Sequence, residues 1–289
     1  MTGPTQTHSG EIRRPRNLYA GSAGSIHEDA TATKLGFKGG TVAGSVHMDQ
    51  FPPLLIRAFG DGWFETGCLS LYFRNATTDG DPVQAFVEAP PESGREAQVR
   101  AWMTRPDGTL VADGTASIGT PDATSALFDR DLRPVDPSRL RLLKDVHPGD
   151  RLGPVEVPVN SERQRTALRE RYLTEPLDWY GQVSPWGPAV ASPSVTVDLL
   201  YSELLRPLKE RLGPRVGLFG AIELRYHAGP VFLDRSYTVS GEVVAVSETP
   251  KTEVFWYDSH AHDADGRRVV SMRMMLRSLK ASSPLYADQ

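Results

Sequence analysis

The residue whose type and setting best suit catalysis is His27. It lies in the run 22–29 (SAGSIHED), ahead of a glycine-rich turn at residues 36–40 and an apolar, helix-like segment. Histidine exchanges protons near neutral pH, and a helix that begins just after a loop points its free amide groups at whatever binds there. This layout predicts a site at which His27 moves a proton while backbone amides hold an oxygen anion.

The elements around this loop occur twice in the chain. Residues 69–77 (LSLYFRNAT) align without gaps with residues 222–230 (IELRYHAGP), and Asp81 then aligns with Asp234. Sequence with β-type alternation follows in both copies, and each copy ends in an Asp-Gly pair, which favours a tight hairpin turn. The chain is therefore predicted to consist of two similar halves.

One helix-like segment precedes each set of strands. In the second half, Ser192 is placed to cap the helix, Pro193 suits its first position, and an apolar stripe follows. The first-half segment starts near Val42. Adjacent prolines at positions 52 and 53 should break or kink it near Gln50, because proline removes a backbone donor and clashes with the preceding turn.

This order of elements predicts the fold. A helix followed by three or four long antiparallel strands buries its apolar side most simply when a curved sheet wraps around it, and two such units can join their sheets. The sequence therefore predicts an α+β fold of the double-hotdog type. The N-terminal unit covers residues 1–118, a linker rich in proline, aspartate and serine covers residues 119–137, and the C-terminal unit covers residues 138–289.

With these elements placed, the first half resembles the MaoC-like family of dehydratases and (R)-specific enoyl-thioester hydratases. The second half shares only the framework. The resemblance implies an enzyme that hydrates or dehydrates an acyl thioester, with the family's histidine at His27 and the glycine of its helix start at Gly44. The resemblance covers residues 19–87, and the matching positions are Ile26-His27, Gly36-Phe37, Gly40 to Gly44 and the strand entry from Phe73 to Asp81.

One catalytic position of that family is changed in this chain. The family motif pairs an aspartate with the histidine, because hydration needs one group to activate water and one to handle the α-carbon proton. The aspartate falls on Ser22. Serine has no useful basicity near neutral pH, so Ser22 is expected to position a water or a substrate oxygen. Asp29 is the nearest carboxylate that could act instead, and a capping role for it on first-turn helix amides stays open.

Three further residues are candidates for the pocket. His47 would lie about one turn beyond Gly44 and face the same site, unless it is a structural histidine of the helix. Trp179 and Tyr180 lie in the second-half loop that matches the His27 loop. They could line an apolar substrate pocket or seal the core.

Signals for a metal or cofactor are weak. His260 and His262 have the i, i+2 spacing that places two imidazoles on one strand face, but a metal would need further ligands. The strand also runs straight into an Asp-Gly turn, which favours an exposed hairpin end. No glycine-rich phosphate loop, serine-hydrolase elbow or paired-cysteine motif occurs in the sequence. We therefore expect no metal and no other cofactor.

Composition limits the possible partners and the cellular compartment. The 32 basic and 36 acidic side chains give a net charge of −4, which argues against nucleic acid as a partner. The single cysteine, Cys68, excludes a disulfide within the chain and favours a reducing compartment. Residues 1–16 contain no apolar signal-peptide region, and no apolar run approaches the roughly 18–20 residues that span a bilayer. We expect a cytoplasmic protein without membrane contact, and a homodimer stays open.

The leading hypothesis is an enzyme acting on an acyl thioester, carried by coenzyme A or an acyl-carrier protein, or on a related enolisable carbonyl compound. His27 would transfer the proton, amides near Gly44 would hold the oxyanion, and Ser22 would position water or substrate. Two alternatives stay open. One is a repurposed hotdog enzyme of a biosynthetic pathway that performs decarboxylation, elimination or cyclisation. The other is a protein that binds an acyl chain or ligand without converting it.

Overall fold

The sheet is the largest element of the structure. The computed structural model describes residues 6–91 and 96–287, and ten antiparallel strands in these ranges form one continuous sheet. The strands are β1 (Thr7–Ser9), β2 (Gly67–Phe73), β3 (Gln84–Glu88), β4 (Gln98–Thr104), β5 (Leu110–Ile118), β6 (Arg151–Val159), β7 (Gly217–Tyr226), β8 (Arg235–Glu248), β9 (Thr252–His262) and β10 (Arg268–Leu279).

The strand order confirms that the chain consists of two similar units. It runs β1-β3-β4-β5-β2-β7-β10-β9-β8-β6, so each half of the sheet repeats the other outward from the central pair β2–β7. Both Asp-Gly turns join neighbouring strands as the sequence predicts, β4 to β5 and β9 to β10. Gly108 and Gly266 both have positive φ angles there, which glycine adopts without strain.

The seam between the halves lies at a point of local symmetry. β2 and β7 pair antiparallel, with Leu69 opposite Leu224 and Leu71 opposite Ile222. Ser70, which lies between the two leucines, pairs with Glu223, and these two positions are also aligned in the sequence repeat. The axis that relates the two halves therefore passes through the Ser70–Glu223 pair.

The helices differ more between the halves than the strands do. The second-half helix α6 (Pro193–Leu212) is one helix of 20 residues. The matching first-half segment is split into two helices, α2 (Gly44–Met48) and α3 (Pro52–Phe59). The predicted break near Gln50 is confirmed: α2 ends at Met48 and α3 starts with Pro52 at its first position. The helices are α1 (Asp29–Lys34), α2 (Gly44–Met48), α3 (Pro52–Phe59), α4 (Trp63–Thr66), α5 (Ser161–Arg169) and α6 (Pro193–Leu212).

One apolar core runs through both halves beneath the sheet. α6 packs against β6, β8, β9 and β10, and α3 packs against β1, β3 and β5. α2 contacts both α6 and β7, so the first-half helix region meets the second half directly. Leu200 and Leu205 of α6 and Leu55 of α3 are fully buried in the same cluster. The packing therefore brings the α2 start and the α6 face together.

The segment predicted to be a linker covers the opposite face of the sheet. β5 ends at Ile118, and the chain then crosses the seam, where the Ser125 hydroxyl donates to the Glu223 carboxylate at 2.5 Å. The Leu127 amide donates to the Ser70 hydroxyl at 3.1 Å, and the Leu127 side chain is fully buried. This connection is thus part of the packed structure.

Candidate active site

A cavity of about 1090 Å³ lies between the His27 loop, the start of α2 and one face of α6. Its wall is therefore built by both halves of the chain. The α6 side chains that line it recur at helical spacing, as expected for one face of a helix. They are Ser194, Val197, Asp198, Tyr201, Ser202, Leu205, Leu208 and Lys209.

His27 lines this cavity and is held in a single orientation. Its Nδ1 lies 2.7 Å from the Thr41 carbonyl oxygen, which can only accept a hydrogen bond, so Nδ1 carries the proton and Nε2 has a free lone pair. The Asn17 side chain fixes the loop by donating to the His27 carbonyl at 2.7 Å. Burial lowers the pKa of His27, and the bond to Thr41 only partly opposes this. The imidazole is therefore neutral at neutral pH and suited to act as a base.

The start of α2 presents free backbone amides to the same cavity. The helix begins at Gly44, as predicted, and no side chain caps it. A Cβ on Gly44 would lie 2.4 Å from the Phe73 ring, so any larger residue at this position would require the ring to move. Gly44 and Ser45 both line the cavity, and their amides are available to an oxygen of a bound ligand.

Ser22, the residue expected to position water or substrate, and Asp29, the candidate for the missing carboxylate, lie in different settings. Ser22 is exposed at the cavity, and its hydroxyl bonds to no described residue. Asp29 does not line the cavity, because its carboxylate accepts the Gly40 amide at 2.7 Å. The structure thus turns Asp29 toward the glycine turn, where it stabilises backbone. It caps no first-turn amide of α1, whose N-cap residue is Glu28.

His47 lies one helical turn from Gly44, is buried and lines the cavity. Its Nε2 lies 2.7 Å from the Thr77 hydroxyl, which ties α2 to the segment after β2. Burial, assisted by the charge of Arg105, lowers the pKa of His47 to about 4. A neutral His47 supports the position of α2. A direct role in ligand binding stays a prediction.

Trp179 and Tyr180 lie outside the cavity, which corrects their assignment to a substrate pocket. Tyr180 is fully buried. The Trp179 ring packs edge-on against Phe64 and Trp186, with centroid distances of 5.9 and 5.5 Å. The two residues do occupy the loop that matches the His27 loop, but their large rings fill the space that is open in the first half. They seal the core, the second of the two roles that the sequence allows.

A polar network beside His27 was not predicted from the sequence. The Tyr19 ring packs against His27 with a centroid distance of 5.2 Å, and its hydroxyl accepts a 2.6 Å hydrogen bond from Arg163 of α5. Arg163 in turn forms an ion pair with Asp198 of α6. The one available sequence signal is Asp198, a carboxylate between the apolar residues Val197 and Leu199 of a largely buried helix.

Cationic side chains dominate the charged groups of the cavity wall. Lys209 lies over the Tyr201 ring, 3.7 Å from its centroid, and burial lowers the pKa of this lysine to about 8. The only carboxylate that the described residues contribute to the wall, Asp198, is paired with Arg163. The lining cations that have no carboxylate within 4 Å in the described ranges are Arg74, Lys209, Arg215, Lys251 and Arg277.

Within residues 6–91 and 96–287, no group of three or more histidine, cysteine, aspartate or glutamate side chains could hold a metal ion. His260 lies 3.0 Å from the Ser240 hydroxyl. None of the helices in these ranges is both long and apolar enough to cross a bilayer. Of the candidate residues, His27, Ser22, Gly44 and His47 line the cavity, and Asp29, Trp179 and Tyr180 do not.

Comparison with solved structures identifies the architecture. A structure described as a MaoC domain protein dehydratase from Chloroflexus aurantiacus superposes with a TM-score of 0.63 at 14% identity, over 96% of each chain. A Mycobacterium tuberculosis protein with a double hotdog fold gives 0.60 at 16% identity, over 96% of this chain and 97% of that one. The chain has the double-hotdog fold of MaoC-like proteins.

A third structure, described as a MaoC-like dehydratase, gives a TM-score of 0.54 at 13% identity, over 95% of this chain and 97% of the other. No protein-family model and no curated protein matches the sequence. At these identities the likeness establishes the fold, and the reaction has to be argued from the side chains in the cavity.

Proposed function

We propose that this protein is a double-hotdog enzyme that adds water to, or removes it from, the double bond of an acyl thioester. The observation that carries the proposal is the geometry of His27. Its Nδ1 is committed to the Thr41 carbonyl, so the Nε2 lone pair is free in a cavity that the Gly44 amide also lines. A base and an oxyanion donor that face one space are what proton abstraction next to a carbonyl requires.

In the dehydration direction, Nε2 of His27 removes the proton from the α-carbon of a β-hydroxyacyl thioester. The electron pair moves onto the thioester carbonyl oxygen, and the Gly44 and Ser45 amides hold the resulting enolate. The β-hydroxyl then takes up a proton and leaves as water when its carbon–oxygen bond breaks and the double bond forms. The Ser22 hydroxyl, exposed in the same cavity, positions the departing or entering water.

The cationic wall supports a substrate attached to a phosphate-bearing carrier, either coenzyme A or an acyl-carrier protein. Lys209 lies eleven residues after Asp198 on α6, which is about 16 Å along the helix. Charged hydrogen bonds from lysine and arginine are the usual means of holding phosphate. Lys209, at that distance from Asp198, suits the charged end of a long carrier arm whose thioester lies at His27.

A second candidate is favoured by the identity of residue 22. With serine in the position of the family's aspartate, His27 has no carboxylate partner in its own loop. A reaction that needs a single base, such as a decarboxylation, an elimination or a ring closure on a related enolisable compound, would use the same His27 and amide geometry. Its product would differ while its dependence on His27 would not.

Replacement of His27 by alanine tests the proposal. We expect the hydration of crotonyl-coenzyme A, followed by loss of the absorbance of its conjugated thioester, to slow at least about 100-fold, because the base is removed. His260→Ala is the matched control, since His260 lies on β9 outside the cavity, and it should keep wild-type activity. No turnover by the wild type, or equal rates for wild type and His27→Ala, would contradict the proposal.

A further inference from the structure

The proposed reaction has two proton transfers, and His27 accounts for one of them. Dehydration also needs an acid that gives a proton to the departing hydroxyl, because hydroxide is a poor leaving group. Ser22 holds its proton too tightly for this task, and the Asp29 carboxylate is occupied by the Gly40 amide. The following inference rests on the proposed function and concerns the source of that second proton.

Tyr19 bears a proton on a ring that packs against His27 in the cavity wall. The two rings lie 5.2 Å apart between centroids and are tilted by 41°. A substrate within reach of Nε2 of His27 is therefore also close to the phenol. The Tyr19 hydroxyl accepts a hydrogen bond from Arg163, which leaves its own proton free to be donated.

Arg163 is held by the second half of the chain. It lies in α5, whose first turn is capped by the Asn160 side chain, and it is paired with Asp198 on the cavity face of α6. Asp198 also accepts the Ser202 hydroxyl one turn later on α6. Tyr19 comes from the first half, so the network joins both halves across the cavity.

The charges around Tyr19 suit a phenol that gives up its proton only during the reaction. Burial raises the pKa of Tyr19, Asp198 and Asp49 raise it further, and the Arg163 guanidinium opposes them. His27 and Tyr201 are the remaining titratable groups that face it. The phenol is protonated at neutral pH, and the adjacent guanidinium stabilises the phenolate once it forms.

We propose that Tyr19 is the second catalytic residue and that Arg163 and Asp198 position it. As His27 takes the α-proton, the phenol donates its proton to the β-hydroxyl, the carbon–oxygen bond breaks and water leaves. The imidazolium then releases its proton to water in the cavity, and the phenolate takes one up. Both residues regain their starting forms, and the net change is the loss of one water.

The test separates the two proton transfers by isotope exchange. Purified protein is incubated with 3-hydroxybutyryl-coenzyme A in D2O, and mass spectrometry follows both deuterium uptake at the α-carbon and the appearance of the unsaturated product. Tyr19→Phe should keep α-exchange within about threefold of wild type while dehydration falls about 100-fold. His27→Ala should lose both activities. Tyr237→Phe removes a phenol that accepts the Phe232 amide outside the cavity and should change neither.

The outcomes distinguish the two proposals. If Tyr19→Phe lowers both activities equally, or neither, Tyr19 is not the acid, while loss of both in His27→Ala still supports the proposed function. If His27→Ala loses neither activity, the proposed function itself fails.

A second variant addresses the positioning residues and does not depend on Tyr19→Phe folding. Asp198→Asn removes a charge that raises the pKa of Tyr19. The alkaline decline of kcat should therefore move to lower pH by about one unit. An unchanged alkaline decline would show that Asp198 serves only to pack the two halves together.

Discussion

The two halves of the molecule share the same backbone hydrogen bonds around their matching loops, but the side chains of the two loops differ. In the first half, the Thr41 amide donates to the Ile26 carbonyl at 3.0 Å, and in the second half the Val190 amide donates to the Trp179 carbonyl at 2.9 Å. Thr41 and Val190 each lie three residues before the start of a helix. The residue after the accepting carbonyl is His27 in one half and Tyr180 in the other.

The side chains of the two loops make opposite use of this frame. His27 donates to the Thr41 carbonyl and faces an open cavity. In the second half, the Gln164 side chain donates to the Val190 carbonyl at 2.8 Å, and Tyr180 is fully buried next to Trp179, whose ring belongs to an aromatic cluster. The cluster consists of Phe64, Trp63, Trp179, Trp186 and Tyr226.

The first turns of α2 and α6 also differ, because a side chain from the other half bonds to the first turn of α6 and none of the described residues does so for that of α2. Asp49 lies five residues after the start of α2, and Asp198 lies five residues after the start of α6. The Asp49 carboxylate accepts the Ser194 amide in the first turn of α6 at 2.8 Å. Asp198 pairs with Arg163 and leaves the first turn of α2 uncapped. A hotdog unit thus needs few side-chain changes to gain or lose a site, because the frame persists.

The largest expected effect concerns the filled space beside the second-half loop. Phe64→Ala removes a fully buried ring from the centre of the aromatic cluster, and we expect a loss of about 4 kcal/mol in the free energy of unfolding, because a cavity remains. Phe219→Ala is the matched change at the open cavity. This ring lines the cavity and is only half-buried, so about 2 kcal/mol is expected. Urea unfolding measures both, and equal losses would contradict the contrast between the filled space and the open cavity.

The second effect depends on pH and concerns Asp49. Burial raises its pKa to about 7, from an ordinary value of 3.8. The folded state therefore loses stability as the pH rises from about 4 to about 7, because the carboxyl group ionises more readily in the unfolded chain.

Asp49→Asn should abolish this loss, so its stability relative to wild type should increase by about 3 kcal/mol between about pH 4 and about pH 8. Unfolding in urea at the two pH values measures the difference. Asp145→Asn, at an exposed position, is the control and should follow the wild type. If the Asp49→Asn protein kept the pH dependence of the wild type, Asp49 would not carry the effect.

The smallest effect compares two tyrosines. The Tyr180 hydroxyl is buried without a partner in the described residues, so Tyr180→Phe should be neutral or stabilise the protein by up to about 1 kcal/mol. Tyr19→Phe removes a hydrogen bond to a charged group and should destabilise it by about 1 kcal/mol. Thermal unfolding distinguishes opposite signs, and a loss of stability in both variants would mean that the Tyr180 hydroxyl has a partner after all.

The sequence predicted the parts of the molecule that local pattern controls. The repeat, the Asp-Gly turns, the proline break and the helix start at Gly44 depend on neighbouring residues, and the double-hotdog architecture followed from them. The placement of His27 beside that helix start followed from the family resemblance. The network of Tyr19, Arg163 and Asp198 could not be predicted in this way, because its members come from three elements that meet only after both halves pack.

The second-half loop shows the same limit of local pattern. The sequence correctly matched this loop to the His27 loop. Whether the loop borders a pocket depends on how much space the surrounding side chains leave. Trp179 and Tyr180 can line a space or fill it, depending on the side chains that pack against them. Here the Phe64 ring from the first half packs against Trp179. Sequence spacing contains no such information.

The Ser70–Glu223 pair at the seam has a consequence for the origin of the single site. In a dimer of two identical chains, the residue on the symmetry axis meets its own copy, so a buried glutamate there would face a second glutamate. Covalent fusion of the halves allows one glutamate to face a serine. In the connecting segment, the Ser125 hydroxyl donates to the Glu223 carboxylate and the Leu127 amide donates to the Ser70 hydroxyl. Fusion therefore allows the two halves to differ away from the axis as well, so that the space beside His27 is open while the space beside the matching second-half loop is filled.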